Sequence, residues 1–600
     1  MAQLIADRRD VDFVLHEQLN VSDFSKYEKF GDFNKKTIDM IVSEARTLAI
    51  KEIYPTQPLS DAGCTFENGQ VKVPESFHRV NELFLEGEWL AMADNPEYGG
   101  GGMPKTVSLA VNEYFIGANV SFMLYHGLTH GAARMIEEIG TEEQKNMFCK
   151  NLYSGKWAGT MLLTEPEAGS DVGALTTKAI PNDDGTYTIT GNKIFISGGD
   201  HDLAENIIHP VLARVEGDAP GTKGISLFLV PKYKVKADGS LGEWNDVVCT
   251  GIEHKMGLNG SATCSLTLGG SGKCVGTLLG ERSKGMRSMF IMMNDARQLV
   301  GLQGFSVATT AYIHALNYSR ERIQGSHLQK PKEGGVPIIQ HPDVRRNLLI
   351  MKSYVEGIRS LIYYSGTLHD RMAVAETADE KKFCEDMLAI LTPIIKGYGT
   401  DRTMDVCSLG VQVHGGYGYC RDYPAEQLLR DCKIFQIYEG TNGIQAMDLL
   451  GRKIGMNSGK PFMAFLDEIR KTIHAAKTVP ELGTLAEMAG NVLDKYSETV
   501  MLLGKTAMSE VMKAFIQATP LLDTTGDMVM AWMLLWRAKT AADALKNKPK
   551  AKDVPFYEGQ IKTCEFFVSS LLPVTLGKLA SINALNTAVV DMDEASFGTK

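Results

Sequence analysis

"GTYTITGNKIFISGG" occupies residues 185–199, and its reading decides how the chain is divided. Thr186, Tyr187, Thr188, Ile189 and Thr190 are β-branched or aromatic and follow the two-residue period of a half-buried strand. "TGN" at 190–192 reads as a turn, and "KIFIS" at 193–197 as the strand that returns from it. The same texture recurs in "GISLFLVPKY" (224–233) and "ATCSLTL" (262–268), so residues 161–285 are expected to form a β domain.

On both sides of this block the period changes to that of helices. Upstream, "TEEQKNMF" (141–148) offers Thr141 as a cap with Gln144 three residues on, the signature of a helix start. Downstream, Leu348, Met351, Val355, Ile358 and Ile362 fall at steps of three and four along one face. Helical segments continue to the end, as in "GTLAEMAGNVLDKYSETVMLLGKTAMSEVMKAF" (483–515), punctuated by "TPLLDTTGD" (519–527) and "KNKPKAKDVP" (546–555). The expected class is α+β, divided as an N-terminal extension (1–35), a helical domain (36–160), the middle β domain (161–285), a second helical domain (286–455) and an additional helical domain (456–600).

Composition excludes several functions. A net charge of −10 and a pI near 5.8 oppose binding to nucleic acid or to an anionic membrane, and the one strongly basic run, "KNKPKAK" (546–552), reads as a solvated linker. "MVMAWMLLW" (528–536) is too short for the roughly twenty residues of a membrane span, so it reads as a buried helix. The N-terminus mixes charges into its apolar residues and lacks a signal peptide's core, which leads to a cytoplasmic expectation without stable membrane insertion. Ten cysteines without a CxxC pair read as reduced thiols, against zinc or an iron–sulfur cluster. "HGLTH" (126–130) sets two histidines a helical turn apart, but Gly127 stands where a zinc protease carries its glutamate, so no metal is expected. "YGGGGMP" (98–104) lacks a strand-to-helix context and reads as a flexible loop.

Two further stretches carry chemistry. "LLTEPEAGSDVGAL" (162–175) is either an ordinary acidic turn or a loop that presents Thr164, Ser170 and free backbone N–H groups to a polar ring or a phosphate. "VQVHGGYGYCRDYPAEQLLRDCKIFQIYEGTNGIQ" (411–445) combines an amide, a double glycine and a carboxylate, Glu439, set where an apolar segment enters a glycine-containing loop. Together with "RQLVGLQGFSVATTAYIHALNYSRERIQG" (297–325), these stretches resemble the acyl-CoA dehydrogenase family, whose helix–sheet–helix order, ending in a four-helix bundle, runs here from 36 to 455. The "DVDFVLHEQL" start, the insertion "SHLQKPKEGGVPIIQHPDVRR" (326–346) and the length are similar to a long subgroup that includes the 3-methylthiopropionyl-CoA dehydrogenases and carries an extra C-terminal helical domain.

The resemblance implies FAD-dependent α,β-dehydrogenation of an acyl-CoA to a trans-2-enoyl-CoA. Glu439 would take the α-proton, with burial raising its pKa toward a working value, while hydride passes to flavin N5. Tyr438 and Ile437 would wall the base, and Gly440 would let the thioester carbonyl approach the Glu439 N–H. Leu163, Thr164, Ser170, Phe195 and Ser197 match flavin positions; Phe195 stands where the family usually has tryptophan, and Gly325 where many members have phenylalanine. Arg322, Gln324, Gln412, Gly416 and Thr441 match positions on the FAD of a neighbouring subunit, implying a homodimer or homotetramer. Asn294 and Arg297, with Ser170, match the coenzyme A side. Arg452 resembles an acyl-pocket residue, whose charge would favour short or thioether acyl groups such as 3-methylthiopropionyl over long alkyl chains. Electron-transferring flavoprotein is the implied acceptor. The alternatives are a medium straight-chain dehydrogenase, an acyl-CoA oxidase, or a nucleic-acid-binding stress flavoprotein, the last opposed by the acidic charge and by Glu439.

Overall fold

Thr141 starts the helix Glu142–Tyr153 in the expected way. Its hydroxyl accepts from Gln144 N at 3.2 Å while the Gln144 carboxamide accepts from Thr141 N at 3.0 Å, a closed capping box. Phe148 and Leu152 on this helix then bury against Trp157, Leu212, Leu227 and Leu229 of a sheet. The structure, a computed structural model, describes residues 3–332 and 334–598, in which the chain folds as two units. One comprises Ser43–Met103 and Tyr114–Leu299, the other Met1–Val42, Pro104–Glu113 and Val300–Lys600.

The first unit is organised by an eight-stranded sheet. Its strands are β1 (Trp157–Gly159), β2 (Lys178–Pro181), β3 (Tyr187–Ser197), β4 (Asn206–Val215), β5 (Ile225–Pro231), β6 (Val247–Ile252), β7 (Thr263–Leu268) and β8 (Val275–Leu278). They lie in the order β6-β7-β3-β8-β5-β4-β1, with β2 beside β3 and β4. The turn expected at 190–192 is not formed: β3 runs unbroken, with Gly191 opposite Leu268. Glycine is needed there for close approach, since a Cβ would stand 2.3 Å from Thr177 Oγ1. Farther along, Lys193 pairs with Leu266 and Ile196 with Cys264, so three steps on β3 face two on β7. This bulge places Phe195 in the left-handed region, φ +57°, with the residue 60% exposed.

The second unit is helical. Its main elements are α1 (Arg8–Phe13), α2 (Pro342–Val374), α3 (Ala378–Pro393), α4 (Gly399–His414), α5 (Asn442–Asp448), α6 (Lys460–Lys477), α7 (Gly483–Ser509), α8 (Ala518–Lys546), α9 (Val554–Phe566) and α10 (Leu572–Asn583). Leu348, Met351, Val355, Ile358 and Ile362 form the buried stripe of α2. The apolar run 528–536 lies in α8, which is buried from Met528 to Leu535 and packs against α2, α5, α6, α7, α9 and α10. A second apolar run was not singled out by composition: Ala551–Asn583 is a continuous helix long and apolar enough to cross a bilayer; it widens into a π-turn at Phe567–Leu571, and the segments on either side of the turn both pack on α8.

One buried charge cluster joins the segments of this unit. Asp10 on α1 is gripped by Arg359 of α2 and Arg537 of α8. Arg359 also forks onto Glu113 (2.5 Å from Nη2), which accepts from Tyr363 as well. Arg537 donates to Gln560 of α9 and to Ser360, and Gln560 donates to Glu356, the partner of Lys352. Three carboxylates meet three cations, so the buried charge is balanced. Burial alone would raise the Asp10 carboxyl, but Arg537 and Arg359 overcome it and hold its pKa at about 2.

Asp10→Asn is expected to destabilise this unit by about 3–5 kcal/mol at pH 7, since two buried guanidinium groups lose their shared counter-charge. A folded pKa below the ordinary 3.8 means that the Asp10 contribution is complete above about pH 4 and is lost as pH falls through 2. The wild-type advantage in denaturant unfolding therefore narrows below pH 4, and equal stability of the two proteins at pH 7 would refute the account.

Candidate active site

The helical unit presents Glu439 on a short loop between the turn Lys433–Gln436 and α5. Glu439 has φ +56° and Gly440 φ +84°, two consecutive left-handed residues. For a glutamate this conformation is strained, and it persists only where the surroundings impose it. Thr441 caps α5, its hydroxyl accepting from Ile444 N at 3.3 Å. Ahead of the base, the Tyr438 hydroxyl donates to the buried Gln303 at 2.5 Å, and burial together with the Glu439 charge raises its pKa. Ile437, expected as a wall, is 50% exposed, and Glu439 itself is half-buried rather than enclosed.

The loop is tied to a buried lysine that no sequence motif marks. Pro393 ends α3 without an N–H to donate, and residues Ile394–Tyr398 widen into a π-turn. Lys396 on this turn is fully buried, and its ammonium donates to the Gly440 carbonyl at 2.7 Å and to Asn442 Oδ1 at 2.8 Å. Asn442 donates in turn to Gly397 O, Thr400 Oγ1 and Asp401 Oδ1. The signal available was a lysine inside the apolar stretch "LTPIIKGYG" (391–399).

A cleft of about 460 Å³ in the same unit brings together Arg322, Gln324 and Gly416 of the expected set, with Tyr318, Ile338, His414, Gly415, Tyr417 and Cys420. The Arg322 guanidinium lies over the Tyr417 ring, 5.5 Å from its centroid, and His414 stacks on Tyr318 at 4.5 Å. Gly415 and Gly416 have open space where a side chain would stand. Gln412 is exposed and does not line this cleft. Arg452, expected in an acyl pocket, has a side chain 72% exposed and pairs along its helix with Asp448. A guanidinium in water carries no desolvation cost, so it gives no physical ground for rejecting long alkyl tails.

In the sheet unit, Leu163 is buried, Thr164 and Ser197 are half-buried, and Ser170 and Phe195 are exposed. The loop 162–177 is fastened to β3 through a buried pair. Lys193 donates to Glu165 (2.8 Å), to Leu163 O (3.1 Å) and to Leu212 O (2.9 Å). Glu165 also accepts from the backbone and hydroxyls of Thr176 and Thr177. Burial acts to raise Glu165, and Lys193 with these donors brings it down to about 2. The Thr164 carbonyl accepts from Ile194 N, so the two candidate flavin segments are held by direct bonds. Arg297 is buried, with its guanidinium 6.0 Å from the Phe290 ring centroid, whereas Asn294 is exposed.

The metal candidates resolve into other pairings. His126 stacks on Phe84 at 4.4 Å and is kept neutral by burial, its pKa near 3, while His130 bonds Asp94 at 2.8 Å. Asp12, His16 and Asp39 lie within reach of one another, but Arg8 bonds Asp12 and Lys35 bonds Asp39. All ten cysteines are free thiols.

Comparison with known proteins accounts for almost the whole chain. Sequence profiles described as "Acyl-CoA dehydrogenase, N-terminal domain", "middle domain" and "C-terminal domain" match residues 35–156, 160–270 and 283–454, and "Acetyl-CoA dehydrogenase C-terminal like" matches 465–593. A 3-methylmercaptopropionyl-CoA dehydrogenase of Ruegeria pomeroyi is 38% identical over 524 residues, 87% of this chain and 88% of that protein. A butyryl-CoA dehydrogenase of Syntrophomonas wolfei is 35% identical, covering 98% of each. In fold, the chain is similar to a crystal structure of an acyl-CoA dehydrogenase complexed with FAD from Bacillus anthracis, with a TM-score of 0.73, 22% identity, and 93% and 90% of the two chains covered.

Proposed function

The chain belongs to the acyl-CoA dehydrogenase family, and we propose that it oxidises a short acyl-CoA thioester to the trans-2-enoyl-CoA with Glu439 as the base for the α-proton. The observation that carries the assignment is the loop itself: a carboxylate held in strained left-handed backbone, followed by a left-handed glycine and fixed by a buried lysine. Strain of this kind persists only where the surroundings over-determine it, and it is enriched at functional sites.

FAD is the cofactor, and when bound it accepts the β-hydrogen as hydride. The residues present fit it. In the sheet unit, the Phe195 ring is exposed at a bulge, an apolar face suited to stacking, with Leu163, Thr164, Ser170 and Ser197 on the segments tied to β3. In the helical unit, the cleft offers the Arg322 guanidinium and the bare backbone of Gly415 and Gly416, which suit a pyrophosphate. Gln324 would add an amide there, and Thr441 and Gln412 are assigned to the same dinucleotide from sequence match.

An α-C–H beside a thioester is a weak acid, so the base works by position and by stabilisation of the enolate that forms. Glu439 removes the proton from C2. Its N–H is the donor assigned to the thioester oxygen, and Gly440, lacking a Cβ, leaves room for the carbonyl to approach. Tyr438, tied to Gln303, walls one side. Asn294 and Arg297 are assigned to coenzyme A. Electron-transferring flavoprotein is the proposed acceptor, and the assembly is proposed to be a homo-oligomer in which Arg322 reaches the cofactor of a neighbouring copy.

The short-chain preference draws on the relatives named for 3-methylmercaptopropionyl-CoA and butyryl-CoA, which the chain matches over most of its length. With Arg452 in solvent, no charge argument adds to it.

Glu439→Gln keeps the size and removes the basicity. Anaerobic flavin bleaching by butyryl-CoA is expected to slow by about 10²- to 10⁴-fold while FAD and thioester still bind; bleaching at the wild-type rate would sink the assignment. The same assay run on wild type with butyryl-, 3-methylthiopropionyl-, octanoyl- and palmitoyl-CoA is expected to be fastest with the first two, and fastest bleaching by octanoyl or longer esters contradicts the short-chain reading. Arg322→Ala is expected to lose FAD and to shift the oligomer to smaller species on sizing; purified variant that stays yellow and unchanged in size argues against a cross-subunit role.

A further inference from the structure

We propose that Lys396 is the positioning residue for Glu439, and that the C-terminal helices α8 and α10 serve the reaction by holding the π-turn on which Lys396 sits. The inference rests on the reading of Glu439 as the base.

Lys396 is buried completely, where an ammonium is costly unless its hydrogen bonds are made. Two of those bonds go to the base loop: the Gly440 carbonyl, one residue beyond Glu439, and the Asn442 side chain at the start of α5. The loop is thus held just beyond its two left-handed residues, which fixes the direction in which the Glu439 side chain leaves the backbone. Asn442 passes the constraint back to the turn through the Gly397 carbonyl, so loop and turn form one closed hydrogen-bonded ring.

The turn itself is clamped by the additional helical domain. A Cβ on Gly397 would stand 2.6 Å from Leu522 of α8 and 3.3 Å from Gln445 of α5, so turn, loop helix and α8 meet without spare room. Gly526 of α8 accommodates the Tyr398 ring, which a Cβ there would strike at 2.0 Å. The Tyr398 hydroxyl donates to Asp527 Oδ1 at 2.9 Å, and Asp527 Oδ2 accepts from Thr575 and Lys578 of α10, each at 2.8 Å. A continuous series of contacts therefore runs from α10 through Asp527, Tyr398 and Lys396 to the peptide beside the base. Displacement of a reacting group by about 1 Å is enough to cost on the order of 10²-fold in rate.

The test uses the FAD-loaded enzyme and anaerobic flavin bleaching by butyryl-CoA. Lys396→Met keeps the aliphatic stem and removes the donors. It is expected to lower the maximal bleaching rate about 10²-fold, with FAD content and half-saturating butyryl-CoA within about threefold of wild type. Because Lys396 acts through Glu439, the same substitution placed in Glu439→Gln is expected to cause no further loss. Wild-type bleaching by Lys396→Met, or an equal fold loss in both backgrounds, overturns the proposal. Wild-type bleaching by Glu439→Gln alone overturns the base assignment instead. Tyr398→Phe removes only the bond to Asp527 and is the milder variant should Lys396→Met fail to fold; a loss of about tenfold in maximal rate at unchanged half-saturation is expected, and no loss refutes the role given to α8 and α10.

Discussion

Asp10 lies between Arg359 and Arg537, and the helical unit depends on that contact. It joins the N-terminal helix α1, α2 and α8 at a point closed to water, and Glu113 and Gln560 extend it to two more segments. Such a cluster contributes little as attraction alone, because desolvation offsets most of the gain. Its effect is on register: each partner left alone would be a buried unpaired charge, so α8 has one tolerated placement along α2. Ten residues before Arg537, about 15 Å along the same helix, Asp527 meets the turn that carries Lys396. Placement of α8 at the charge cluster is therefore also placement of the support behind Glu439.

Two residues of the candidate site hold side chains on left-handed backbone, and different constraints impose it. Phe195 is turned outward by a β-bulge whose preceding residue, Lys193, is fixed by Glu165 and two carbonyls. Glu439 is held by Lys396 and by the capped start of α5. In each case a buried lysine, Lys193 on a strand and Lys396 on a π-turn between two helices, anchors the irregular segment that bears the functional group. The strain, of order 1–3 kcal/mol at each position, is sustained by hydrogen bonds that do not touch the reactants.

Much of this fold was legible in the sequence because it rests on local signals. The capping box at Thr141, the apolar stripe of α2 and the β texture after residue 161 each follow from a few neighbouring residues. Gly191 was misread because a glycine that admits Thr177 looks, without its partner, like a turn. The charge cluster was invisible for a related reason: Asp10, Arg359 and Arg537 are far apart in the chain, and singly each resembles a surface charge. Within the site, the family motifs pointed to Glu439 and Arg322, which the structure places on the strained loop and in the cleft. Lys396, Asn442 and Gln303 carry no motif, and their roles come only from what they touch. Arg452 shows the opposite case: sequence match suggested a pocket, whereas its side chain is exposed and paired with Asp448.

Removal of the α-proton by Glu439, as proposed, is read apart from any oxidation by proton exchange. The FAD-loaded enzyme is incubated in D₂O with 3,3-dimethylbutyryl-CoA, a thioester that has α-hydrogens and no β-hydrogen to lose, and deuterium at C2 is followed by mass spectrometry. Wild type is expected to incorporate one deuteron at C2, because a base fixed on one face of the enolate exchanges only one of the two prochiral hydrogens, and Glu439→Gln none above background. Equal incorporation by the two proteins would contradict it.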